Sequence, residues 1–204
     1  MISRRTFLAG LALGALSPGL ALGSPDEATA LVKRTTERML STLQGRRAEV
    51  DRNPSLIYGM IDSIVAPHFD FERITQGALG QYWREANRAQ QRDLVNGFKQ
   101  VLVRTYARSL LKYDGEEIRY LPEKPGRKAS TVIVSTEVRE AGAQPIPVDY
   151  RLSNESGAWK VYDVIIDRVS LVANYRSSFA SQIRQAGIDG LIAKLGEMNT
   201  KGQG

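Results

Sequence analysis

The chain has 204 residues, of which 42% are hydrophobic and 25% charged, with a formal net charge of +6. That is globular material enough for one domain with a sizeable core, neither disordered nor fibrous. The absence of cysteine excludes thiolate catalysis, disulfides and cysteine-ligated metals.

The first segment, "MISRRTFLAGLALGALSPGLALGSP", has a positive start, an apolar run from about Phe7 and small residues Ala21 and Gly23 ahead of an expected cut. Residues 1–23 therefore read as a signal peptide, with 24–204 as a single domain. "SRRTFL" carries the twin-arginine pattern, and a general secretory signal that contains two arginines is the alternative. Either route delivers the mature chain to the bacterial periplasm. The run is too short and too interrupted by Gly10, Gly14 and Pro18 to span a bilayer, so a soluble product is expected. Two of the positive charges, Arg4 and Arg5, belong to this segment. The rest are interspersed with acids, which argues against a nucleic-acid groove.

"SPDE", Ser24 to Glu27, reads as a capping box with proline at the first helical position. Leu31, Val32, Met39, Leu40 and Leu43 then recur at helical spacing. "NPSLIYGMIDSIVAP" repeats the cap signal at Asn53 and Pro54, carries one apolar stripe through Ile64, and is stopped by Pro67. A third helix is predicted from Asp70, through Phe71, Ile74 and Leu79, to Gly80. The longest helix starts at Asn87, with Gln90 three residues on, and its apolar face runs from Leu94 to Tyr113.

"DGEE" ends that helix and the period changes to two. "IRYLPEKPGRKASTVIVSTEV", "PIPVDYRL" and "GAWKVYDVIID" read as three or four strands joined by turns such as "SNESG". "VANYRSSFASQIRQAG" is helical with Gly187 as its C-cap, and "IDGLIAKLGEM" is a further helix. Helices, a meander, then helices make an α+β fold: N-terminal helices, a curved and mostly antiparallel sheet of about four strands, and C-terminal helices.

Catalytic groupings are sparse. His68 is the one histidine and has no second histidine near it, so a transition-metal site is not expected. No phosphate-binding loop and no nucleophile elbow occur. Strict alternation puts Asp163 on one strand face with Trp159, Val161 and Ile165. An apolar setting raises a carboxyl pKa and could make a general base, whereas a salt bridge or a backbone partner would make Asp163 structural. The aromatics Tyr82, Trp83, Tyr106, Tyr113, Tyr150, Trp159 and Tyr162 read as core.

The stretches "FDFERI", "ALGQYW", "VDYRL", "GAWKVYDV", "VSLVANYRSSF" and "GIDGLIAKL" occur in this order along the mature chain. In these residues the chain resembles the MlaC, or toluene-tolerance, family of periplasmic phospholipid carriers. The span from Val148 to Leu195 is the most specific. One departure is Arg168, which stands ahead of "VSL" where the family commonly has glycine; glycine accepts positive φ readily and arginine does so at a cost. The resemblance implies a curved sheet and helices around a deep apolar cavity, with acyl chains inside and the head group at the mouth. It implies no cofactor other than phospholipid as cargo, and no chemical step. The partners it implies are an outer-membrane lipoprotein–porin complex and an inner-membrane ABC transporter complex bearing an MCE-domain ring. The carrier would be a monomer moving between them to maintain outer-membrane lipid asymmetry.

Burying one methylene is worth about 0.8 kcal/mol, so two chains of about 14 methylenes amount to roughly 20 kcal/mol. A carrier therefore needs an apolar space of order 1,000 Å³. Helix stripes and strand alternation nominate its lining as Ile61, Phe98, Leu102, Tyr106, Leu110, Val132, Val134, Tyr150, Leu152, Trp159, Val161 and Ile165. The rival readings are a small exported enzyme of the cone-shaped isomerase or dehydratase type with Asp163 as general base, and an adaptor with no enclosed apolar volume.

Overall fold

A computed structural model describes residues 24–201; the expected signal peptide lies outside the described residues. Helix α1 (Pro25–Gly45) opens where Ser24 Oγ accepts the Glu27 amide at 3.3 Å. It buries Ala28, Val32, Met39 and Leu43 along one side. A short α2 (Arg47–Arg52) follows.

The segment expected as one helix from Asn53 is instead built in three pieces. Asn53 Oδ1 accepts from both the amide and the hydroxyl of Ser55, so helix α3 (Leu56–Met60) starts later than the cap signal suggested. It widens into a π-helical turn, Ile61–Val65, and tightens into a 3-10 turn, Ala66–His68. Pro67, which has no amide hydrogen, is accommodated in the first residues of that last turn, where no donor is required.

Helix α4 (Phe71–Leu79) is capped by Asp70, whose Oδ1 accepts the Arg73 amide at 2.9 Å. Gly80 ends it with φ 59. Helix α5 (Arg88–Leu111) carries the complete capping box: Asn87 Oδ1 accepts from the Gln90 amide and Gln90 Oε1 accepts from the Asn87 amide, both at 3.0 Å.

The strands are β1 (Glu117–Tyr120), β2 (Lys124–Pro125), β3 (Thr131–Arg139), β4 (Ile146–Ser153), β5 (Lys160–Ile166) and β6 (Val169–Ser170). They form one sheet in the order β1-β3-β4-β5-β6, with β2 also beside β3, and every pairing is antiparallel. The expected count of about four strands is exceeded by the two-residue β2 and β6, which are too short to show a period. The last helical element, α6 (Leu171–Lys201), bends at Gly187, whose φ of 71 and ψ of -176 interrupt the helix where a break was expected.

Two irregularities decide which side chains share a face. In β5, Asp163 pairs with Arg151 but Val161 pairs with Leu152, so Tyr162 is an extra, bulged residue. Between β5 and β6, Asp167 and Arg168 form a two-residue turn with φ values of 47 and 68. Two consecutive positive φ values are the signature of a type I′ hairpin, so Arg168 adopts the conformation that glycine would take.

The core falls into three clusters. Phe98 of α5 meets Phe179 and Tyr175 of α6 edge-on, with centroids 4.8 and 4.7 Å apart, beside Leu191 and Leu195. Ala28 and Val32 of α1 cover Val132, Val134, Leu152 and Val161 of the sheet. Met39 and Leu43 of α1 pack with Ile57, Met60 and Ala107. Helix α5 packs chiefly on α3, α4 and α6 rather than on the sheet, and a gap is left between it and β4–β5.

Candidate functional site

That gap is an apolar cleft of 330 Å³. Helix α5 contributes Leu102, Tyr106 and Leu110, the π-helical turn contributes Ile61 and Val65, and the sheet contributes Val148, Tyr150, Val164 and Ile166. Phe69 and Phe71, stacked with centroids 5.8 Å apart, close one side, and Leu171 and Val172 at the start of α6 close another. A second apolar cleft of 180 Å³ lies between α1 and the sheet, lined by Leu31, Thr35, Leu40, His68 and Val161 among others. Val65, Phe69, Leu110 and Tyr150 line both. Neither space, nor the two together, reaches the roughly 1,000 Å³ expected for two buried acyl chains; these four side chains stand between the two halves.

Of the residues nominated from the sequence, Ile61, Leu102, Tyr106, Leu110 and Tyr150 meet at the larger cleft, and Val161 lines the smaller one. Six lie elsewhere. Phe98 is held in the aromatic cluster with α6. Val132, Val134 and Leu152 are on the cleft-facing side of the sheet, but at a level where α1 covers it, and they are 2%, 0% and 0% exposed. Trp159 precedes β5 and packs on the same cluster, its indole N–H buried without a partner. Ile165 is on the opposite face, because the bulge at Tyr162 exchanges the parity of everything after it. The same exchange brings in Val164 and Ile166, which strict alternation had assigned to the other side. Both are visible in the sequence as the second apolar set of the strand; the bulge is not.

Asp163 borders the larger cleft and already accepts three hydrogen bonds. Its Oδ2 accepts from the Ser170 hydroxyl at 2.7 Å and from the Arg151 guanidinium at 3.1 Å, and its Oδ1 accepts from the Val172 amide at 3.2 Å. It therefore ties β4, β5, β6 and α6 together, which is the structural role. Burial pushes the Tyr150 phenol up to about 12, with neighbouring Tyr120 adding to the effect, so it stays neutral. Burial likewise raises Tyr106. His68 is shifted the other way, down from its ordinary value, first by burial and then by the positive charges of Lys160, Arg34 and Arg38. Among the described residues no group of three His, Asp or Glu side chains could hold a metal ion, and no helix is long and apolar enough to cross a membrane.

Two curated relatives share most of this chain. The toluene tolerance protein ttg2D of Pseudomonas putida is 29% identical over 162 residues, covering 78% of this chain and 74% of that one. The intermembrane phospholipid transport system binding protein MlaC of Haemophilus influenzae is 23% identical over 168 residues, covering 81% and 78%. Among solved structures, the phospholipid-binding protein of Ralstonia solanacearum, determined in complex with a phospholipid, superposes with a TM-score of 0.79 at 32% identity. That match covers 87% of this chain and 99% of the Ralstonia chain. The family model described as MlaC protein matches residues 33–197, from α1 into the last turns of α6. With that match spanning nearly the whole domain, this chain belongs to the MlaC family.

Proposed function

We propose that this protein is a phospholipid carrier of the periplasm. It would hold acyl chains in the cleft between α5 and the sheet and move phospholipid between the outer and inner membranes. The observation that carries the reading is the larger cleft, whose lining is almost wholly aliphatic and aromatic and whose one carboxylate is already occupied. A lining of that kind rewards burial of methylenes without fixing the cargo through directional contacts, so the cargo can leave again. The phospholipid in the Ralstonia relative and the transport system named for the Haemophilus relative support it.

Full uptake requires the two clefts to join and to widen. The side chains between them, Leu110 and Tyr150 above all, have to swing, or α5 has to move away from the sheet. Helix α5 is suited to that motion because its main contacts are with other helices. The partners in this reading are an outer-membrane lipoprotein–porin complex and an inner-membrane ABC transporter complex with an MCE-domain ring, and the shuttling maintains outer-membrane lipid asymmetry. The enzyme reading is weakened, since Asp163 already accepts from three donors, one of them the Arg151 guanidinium.

Native mass spectrometry of protein purified from a bacterial envelope is expected to give a phospholipid-bound mass near one molecule per chain. A bare mass under the gentlest conditions overturns the proposal.

A further inference from the structure

Helix α5 carries charge of nearly one sign: Arg88, Arg92, Lys99, Arg104 and Arg108 are offset within the helix by Asp93 alone. Two further clefts of 400 Å³ each lie along it and meet at Asn96. The first is lined by Trp83, Arg88, Arg92 and Val95. The second is lined by Lys99, Val103 and Arg104, with Tyr58 and Asp62 across from them. Together they make one groove running from Arg88 to Arg104, about 24 Å at 1.5 Å per residue. Gln91 Nε2 donates to the Trp83 carbonyl at 2.9 Å and ties that end to α5. At the other end the Arg104 guanidinium lies 5.4 Å from the centroid of the Tyr58 ring. Among the described residues Arg88, Arg92 and Arg104 make no ion pair. Lys99 does, its Nζ 2.8 Å from Asp62 Oδ1, and Glu72 is the other acid in the lining.

We propose that this groove docks an extended acidic segment of a partner protein, whose carboxylates meet Arg88, Arg92 and Arg104 and compete with Asp62 for Lys99. Cations held along one groove without partners of their own attract an acidic chain and fix its register. The concave shape suits a polypeptide and not the flat head-group plane of a bilayer. Val95 and Val103, with the Trp83 and Tyr58 rings, offer contact to apolar side chains set between the acids. About seven extended residues cover the length, at roughly 3.3–3.6 Å each. The groove also abuts the larger cleft. Val103 lines both, and of two consecutive residues in the π-helical turn Ile61 lines the cleft and Asp62 the groove. An occupant therefore rests against the helix that walls the cleft. The docking itself does not depend on what the cleft holds.

The chain has two tryptophans, and the Trp159 indole is buried in the sheet cluster, so the Trp83 indole N–H is a local NMR reporter of the groove. Trp83→Phe assigns the two signals. The probe is a nine-residue peptide of glutamate with a valine at every third place, and the control has glutamine for each glutamate. At low ionic strength the acidic peptide is expected to shift the Trp83 signal, leave that of Trp159 unmoved, and bind at least about tenfold more tightly than the control. The R88Q/R92Q/R104Q triple variant should weaken that binding about tenfold. Asp62→Asn, which removes the groove's own competing carboxylate, should strengthen it about threefold.

A triple variant that binds the acidic peptide as tightly as the native chain overturns the groove, as does a peptide that leaves the Trp83 signal in place. Equal binding of the acidic and glutamine peptides overturns the charge argument and the proposal with it. Vesicles of phosphatidylglycerol, with phosphatidylcholine as the control, test the bilayer instead. If the three arginines govern binding to the anionic vesicles and not to the peptide, the surface is a membrane contact and the proposal fails. None of these readouts involves the cargo, so each of them leaves the carrier reading to its own test.

Discussion

Arg151 and Asp163 face each other across β4 and β5, the guanidinium donating to Asp163 Oδ2 at 3.1 Å. The carboxylate is 4% exposed and the arginine 38%, so the pair is buried at one end only. Removing the acid leaves the Ser170 hydroxyl and the Val172 amide without their acceptor, whereas removing the arginine leaves both in place. Asp163→Ala is therefore expected to cost about 3 kcal/mol and Arg151→Ala about 1 kcal/mol. Urea unfolding followed by circular dichroism checks the order; equal losses would show that the ion pair, not the backbone and hydroxyl bonds, is the dominant contact.

The bulge at Tyr162 makes a prediction that strict alternation reverses. Val164→Trp fills part of the larger cleft and should lower phospholipid occupancy at least fivefold, roughly 1 kcal/mol. Ile165→Ala, on the other face, should leave occupancy unchanged. Val134→Asp or Leu152→Asp places a charge at a fully enclosed position beneath α1, and is expected to unfold the protein rather than empty it. Lipid-to-protein ratio by mass spectrometry, paired with a thermal melt, separates these outcomes.

Arg168 sits at φ 68 in the β5–β6 turn. A left-handed L residue costs about 1–2 kcal/mol, and glycine returns about 0.4–1 kcal/mol of that through its freer unfolded chain. Arg168→Gly should thus stabilise by roughly 0.5–1 kcal/mol, about 1–4 °C in Tm for a chain of this size. Arg168→Val should do the reverse, because a β-branched residue tolerates this region least. A differential scanning measurement in which both variants melt together would contradict the turn assignment.

His68 has a folded pKa below its ordinary value, with burial the larger cause. The unfolded chain then binds a proton more readily than the folded one. Stability is expected to fall as pH drops through about 6.5 toward the folded value, and to level off below it. His68 is half-buried and keeps some contact with solvent, so the slope is shallow. Comparing urea midpoints of the native chain and His68→Gln at pH 7.5 and 5.5 isolates it, the difference between the two proteins shrinking at the lower pH. A difference that grows on acidification would mean that His68 gains a proton on folding.

Local signals were legible wherever one residue type answers one local geometric need. Ser24, Asp70 and Asn87 cap helices as their side chains and positions dictate, Gly80 and Gly187 end them, and "DGEE" marks the change from helix to sheet. The segment after Asn53 was harder to read. Its apolar stripe is real, but a stripe does not distinguish an α-helix from a π turn and a 3-10 turn, which differ by one residue in their hydrogen bonding. Phe69 illustrates a second limit: its ring stands between the two clefts, and its own backbone is bridged to Val161, a residue far along the chain.

The amino-acid sequence by itself determined the α+β order of elements, their caps and breaks, the family resemblance and the apolar stock from which a cleft could be built, because these depend on neighbours within a few residues. Tertiary structure alone decided which of those apolar residues face open space and which are covered. That choice turns on where α1 crosses the sheet, burying Val132, Val134 and Leu152, and on the register shift opposite Arg151 and Leu152, which turns Val164 inward and Ile165 away. Both are relationships between segments distant along the chain, and residue spacing carries no information about the distance between them.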